Sequence, residues 1–266
     1  MTTRDEQLTL GFIGTGTITS AIVEGLCAHT PAAHRIRVSP RNPEVAARLA
    51  TRFPEVRVAT SNQDVVDASD VVFLAVRPQV APPILEMLRF RPEQRVVSLI
   101  ATFSRARVAE LVAPAQSVTC AVPQPTVSAR LSPTAMFPPD PLVSALFNGL
   151  GVAFEAATEC EFQALFATTA AMATFFTLLD TLARWLTAHD VSPAAARDYV
   201  TKMFQGLADV PGRSTSSFAE LAAEFKTEGG LNEQFAHVLA ERGAFAACCS
   251  ALDAILERIA GSANRR

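Results

Sequence analysis

The chain has 266 residues, 49% of them apolar, which is enough for a substantial core and for two domains. Its 23 Lys and Arg oppose 26 acids for a net charge of −3, and the absence of a basic run argues against a nucleic-acid partner. Five cysteines without a CxxC or Cys/His cluster, and histidines scattered at 29, 34, 189 and 237, argue against a disulfide framework and a metal site, and fit a reducing cytoplasm. The N-terminus has no apolar signal core.

Residues 8–26 read as a buried strand, a glycine turn and a helix running from Ser20 to about His29. The turn is Gly14-x-Gly16-x-x-Thr19, with Thr where Gly or Ala is usual for close helix–strand packing. Such a turn lets the backbone approach a dinucleotide pyrophosphate at a helix N-terminus; the alternative is a glycine-rich turn with no ligand. Gly14, Gly16, Thr17 and Ile18 are the candidate contacts. A second strand, Arg35–Val38, ends at Ser39-Pro40-Arg41-Asn42 without the acid that usually holds a ribose hydroxyl. Ser39, Arg41 and Asn42 instead suit a phosphate, which predicts NADPH rather than NADH. The bland reading makes Arg41 a solvated residue before a helix that starts near Pro43.

Apolar runs at Val71–Val76, Arg95–Ile100, Ser117–Val122 and Gly151–Glu155 alternate with helical stretches. They predict an α/β fold with a parallel, doubly wound sheet of Rossmann type over residues 1–157. Arg77-Pro78-Gln79 leaves a buried strand directly and either lines the cofactor or is a proline-enforced strand exit.

From residue 158 to 266 the pattern is all-α. One long helix is expected from Glu159 to His189. Within it, Phe162–Leu179 lacks charges and is nearly long enough to span a bilayer, but reads as a core or dimer-interface helix. Ser192-Pro193 opens a helix to about Asp209, Pro211-Gly212 breaks the chain, and Ser217–Phe225 is helical. A glycine turn, Lys226–Asn232, precedes a last helix from about Glu233 to Ala260. Trp185 and Tyr199 are expected in the core.

Four patterns resemble the pyrroline-5-carboxylate reductase family: Gly11-Phe-Ile-Gly-Thr-Gly-Thr-Ile-Thr19, Asp70-Val-Val-Phe-Leu-Ala-Val-Arg-Pro-Gln79, Ser98-Leu-Ile-Ala-Thr102, and the two-domain layout with helical text at Asp190–Ala196. The resemblance covers nearly the whole chain and is strongest in its first half. It implies NADPH-dependent reduction of a C=N bond in a small cyclic imino acid by a homodimer with interlocked all-α domains. It implies that Val76, Arg77, Pro78 and Ala101 extend the cofactor site. It also implies substrate contacts from Gln124, Thr174, Gly229, Gly230 and Asn232, with Thr168, Thr169 and Asn232 orienting the reacting group.

Three segments depart from the family text. Cys120-Ala-Val-Pro-Gln-Pro-Thr126 lacks the usual arginine and asparagine. Ala167–Thr174 lacks two glycines. Thr227–Asn232 keeps Gly229 and Gly230, a backbone nest for an anion, but loses the threonines that follow. Each threonine is equally a helix residue bonding its own preceding turn, and Asn232 equally a helix cap.

Hydride delivery to an iminium carbon needs positioning and dryness more than acid–base side chains, so the lack of a triad does not argue against an enzyme. A 3-hydroxyacid or 6-phosphogluconate type dehydrogenase would need a helix lysine with asparagine four residues on. Lys202 and Lys226 are followed at that offset by Gly206 and Gly230. A non-catalytic dinucleotide-binding sensor is the remaining alternative.

Overall fold

The computed structural model describes residues 7–28 and 34–263. His29, the expected end of the first helix, and the Arg265-Arg266 tail lie outside them. Eight strands form one sheet: β1 (Thr9–Ile13), β2 (Arg35–Val38), β3 (Val56–Val58), β4 (Val71–Leu74), β5 (Arg95–Ser98), β6 (Ser117–Val122), β7 (Ser132–Phe137) and β8 (Gly151–Glu155). Their order is β3-β2-β1-β4-β5-β6-β7-β8. The first six run parallel and the order reverses between β1 and β4, the switch point where open α/β sheets bind ligands.

The doubly wound parallel sheet expected from the sequence is present over the first six strands, with one departure at its edge. β7 runs antiparallel to β6, and β8 then runs parallel to β7. β7 has Ser132, Pro133 and Thr134 in its first half, which hides it from an apolar-run search. β3 also goes unforeseen, being only Val-Arg-Val.

Helices α1 (Thr17–Cys27), α2 (Pro43–Arg52) and α6 (Pro141–Asn148) cover one face, and α3 (Asn62–Asp67), α4 (Ala81–Leu85) and α5 (Arg105–Leu111) the other. β4 shows why its sequence is apolar throughout. Val71 and Phe73 enter the first core and Val72 and Leu74 the second, so neither face meets water. Phe73 stacks on Phe12 with ring centroids 4.7 Å apart and meets Phe147 edge-on at 6.3 Å.

The remaining helices are α7 (Glu159–Thr168), α8 (Ala171–Thr187), α9 (Pro193–Asp209), α10 (Phe218–Glu224), α11 (Leu231–Glu241) and α12 (Ala244–Ala263). The expected helix from Glu159 to His189 is two, parted at Thr169-Ala170. The expected last helix is also two, parted where Gly243 takes φ 73°. Ser192 caps α9 with Pro193 in its first turn, and Ser217 and Glu220 form a reciprocal cap on α10.

The chain divides into two compact units: residues to Ala167 with those from Leu256, and Thr168–Ile255. Phe162 of α7 explains why the division falls past residue 158, since it packs with Cys120, Ala135 and Ala156 of the first unit. In the second unit α8 has no buried residue. Trp185 and Tyr199 are 59% and 65% exposed, so neither is core. Glu159–Thr187 is long and apolar enough to cross a membrane by length and composition alone, and it carries the break at Thr169-Ala170.

Phe73→Ala is expected to lower unfolding free energy by about 3–5 kcal/mol, read by denaturant titration of the whole chain.

Candidate functional site

The turn after β1 is built by hydroxyls. Gly14 leaves the strand at φ 101°, and a side chain there would run into the carbonyl of Ala75. Its N–H donates to Ser39 Oγ at 3.0 Å. Thr15 Oγ1 donates to the Ser39 carbonyl at 2.6 Å, and Thr19 Oγ1 to the Gly14 carbonyl at 2.6 Å. Thr19 thus stands where glycine or alanine is usual because its hydroxyl closes the turn.

Gly16 is different. It caps α1 without a side-chain hydrogen bond, its φ of −100° suits any residue, and a Cβ there would meet nothing. Neither backbone strain nor packing requires glycine at this position. The open space over the uncapped first N–H groups of α1 is what a closely approaching pyrophosphate needs.

An outer cavity of about 730 Å³ lies over this turn. Gly14, Gly16, Thr17 and Ile18 form one wall, Arg41 and Asn42 a second, and Val76 and Arg77 a third. Asn42 also caps α2 through a hydrogen bond from Val45 N–H at 3.4 Å. Thr15, Glu44, Ala75 and Val80 line the cavity too, without having been foreseen. Glu44 stands in the first turn of α2, past the end of β2, so the strand end itself presents no acid.

Three expected cofactor contacts lie elsewhere. Ser39 is fully buried with its hydroxyl held by Gly14 and Thr15, so it shapes the turn rather than lining the cavity. Pro78 begins a single 3-10 turn and is not a wall residue. Ala101 belongs to an inner cavity of about 300 Å³ at the ends of β5 and β6.

That inner cavity shares Ile18 with the outer one. Its walls are mostly apolar, from Leu99, Phe103, Val122, Phe137, Phe162, Phe166 and Ile259. Glu159, Phe162, Gln163 and Phe166 present one face of α7 to it, and Arg105 adds a cation. The sequence pattern does place the four α7 residues on one helical stripe, but nothing in it says which cavity the stripe meets. Cys120 lines the cavity and is 6% exposed. Burial and the nearby Glu159 carboxylate push its thiol up to about 12, against a smaller opposite pull from Arg105, so it stays protonated at neutral pH.

Gln124 lies between two lining prolines but is not itself a wall residue, and its N–H donates to Ser132 Oγ at 2.9 Å. In the second unit, Thr168 ends α7, Thr169 is in the break before α8, and Thr174 is exposed on α8. The glycine nest expected to take a substrate anion is engaged internally. Gly229 N–H donates to Glu233 Oε2 at 2.8 Å, and Gly230 N–H to the Thr227 carbonyl at 2.8 Å. Asn232 Nδ2 donates to the Phe225 carbonyl at 2.8 Å, tying down the same turn.

Residues 9–102 match the family described as NADP oxidoreductase coenzyme F420-dependent, and residues 159–261 match the pyrroline-5-carboxylate reductase dimerisation family. In its second part, and in stretches of its first, the chain is thus similar to the pyrroline-5-carboxylate reductase family. A pyrroline-5-carboxylate reductase from Pseudomonas aeruginosa is 35% identical over 94 residues, 35% of this chain and 34% of that protein. The chain thus aligns with about a third of the length of the curated relatives it matches. Among solved structures, the 1-pyrroline-5-carboxylate reductase of Streptococcus pyogenes superposes with TM-score 0.83 at 25% identity, covering 95% of this chain and 98% of that one. The pyrroline carboxylate reductase of Plasmodium falciparum, at TM-score 0.83 and 15% identity over 97% and 99% of the two chains, shares the fold.

Gly14→Ala is expected to destabilise the chain by about 2 kcal/mol or more. Gly16→Ala should stay within about 1 kcal/mol of the parent yet weaken NADPH binding about tenfold or more. Thermal unfolding and calorimetric titration of both variants separate the two effects.

Proposed function

We propose that the chain is an NADPH-dependent reductase of the C=N bond of a small, carboxylated cyclic imine, acting as a cytoplasmic homodimer. The observation that carries this reading is the open space at Gly16, over the first turn of α1, in the same cavity as Arg41. The names of the relatives support the substrate class, and the P. falciparum structure is described with NADP bound.

The α1 N-terminus and the backbone of Gly14–Ile18 hold the pyrophosphate. Arg41, beside the N-terminus of α2, takes the 2′-phosphate through charge-assisted hydrogen bonds. Ile18, common to both cavities, leads from there toward the inner one. NADPH bound in this way supplies the hydride. The apolar walls of the inner cavity exclude water from the imine, and Glu159 sets a negative charge near a protonated ring nitrogen.

The dimer reading rests on the dimerisation-family match and on apolar side chains left open in the second unit. Phe176 is 66% exposed and Phe235 58%, both on that unit's helices. Static light scattering at micromolar concentration should give twice the chain mass, and a monomer overturns this part of the reading.

The deciding assay is NADPH oxidation with pyrroline-5-carboxylate beside pyrroline-2-carboxylate and piperideine carboxylates. Turnover of at least one is expected. Arg41→Ala should raise KM for NADPH about tenfold or more while changing KM for NADH far less. NADPH binding without turnover of any imine would leave a dinucleotide-binding protein instead.

A further inference from the structure

Among the described residues, Arg105 is the one cationic side chain lining the inner cavity. It is half-buried, and its Nε–H donates to the Val118 carbonyl at 3.3 Å, which anchors the guanidinium along β6. No ion pair joins it to a carboxylate of the described residues. Its charge is felt at Cys120 in the cavity wall, where it opposes the effect of Glu159. A partly desolvated guanidinium against apolar walls favours an anion, and its planar fork matches a carboxylate through two parallel hydrogen bonds.

The glycine turn of the second unit is a poor rival for that role. Its Gly229 and Gly230 N–H groups already donate to Glu233 and Thr227. With Glu159 on the same wall, the inner cavity carries one charge of each sign. A small ring with a protonated nitrogen and a carboxylate has the complementary pair.

We infer that Arg105 holds the substrate carboxylate and thereby sets the preference of this chain for carboxylated over bare cyclic imines; the inference rests on the reductase reading. The test compares kcat/KM for pyrroline-5-carboxylate and for 1-pyrroline, which lacks the carboxylate, with NADPH saturating. Arg105→Gln should lower the ratio of the two about tenfold or more, mainly through KM for the carboxylated imine, and Arg105→Lys should restore part of it. An unchanged ratio in Arg105→Gln, including an equal loss on both substrates, would reduce Arg105 to a support for β6 and overturn the inference. Failure of the parent chain to turn over any imine, with NADPH still bound, overturns the reductase reading instead and removes the basis of this one. Calorimetric titration of L-proline into the NADPH-loaded parent and Arg105→Gln reads carboxylate binding without turnover, and equal affinity in the two also overturns it.

Discussion

Gly14 turns the chain out of β1 at positive φ, and the geometry of the ligand site follows from that turn. The peptide groups on either side of Gly14 are each fixed by a side chain, with Ser39 Oγ accepting from the Gly14 N–H and Thr19 Oγ1 donating to the Gly14 carbonyl. Ser39 belongs to the end of β2, so the same buried hydroxyl ties the turn to the adjacent strand end, just before Arg41. The first turn of α1 and the arginine are thereby set in one frame. A satisfied buried network of this kind rigidifies its members, whereas one lost partner would leave a buried donor or acceptor open.

Much of this was legible in the sequence. The glycine turn, the acid-free end of β2 and the apolar run of β4 each carry a local signature of a local physical need. The role of Ser39 was not legible, because a serine at a strand end reads the same whether its hydroxyl faces a phosphate or a backbone amide. The edge of the sheet was hidden for a related reason: Pro133 and two hydroxyl residues make the start of β7 look like loop, and its place is set by pairing with β6 and β8. The break at Thr169-Ala170 has neither glycine nor proline to announce it. Gly243 did offer such a signal for the break between α11 and α12.

The inner cavity shows the limit of reading motifs one at a time. Its walls come from β5 and β6, α7 and Ile259 near the chain's end, so no window of sequence contains it. The stripe Glu159, Phe162, Gln163 and Phe166 is visible on a helical wheel, yet its destination is a tertiary fact. Likewise, the segment around Cys120 departs from the family text by losing an arginine. In the folded chain the thiol there is within electrostatic reach of Arg105, so a positive charge near this wall persists on a different element.

Glu233 gives the glycine turn of the second unit a built-in competitor. A carboxylate tethered four residues from Gly229 is present at an effective concentration of millimolar order or above. Any dissolved carboxylic acid must outcompete it to reach that N–H.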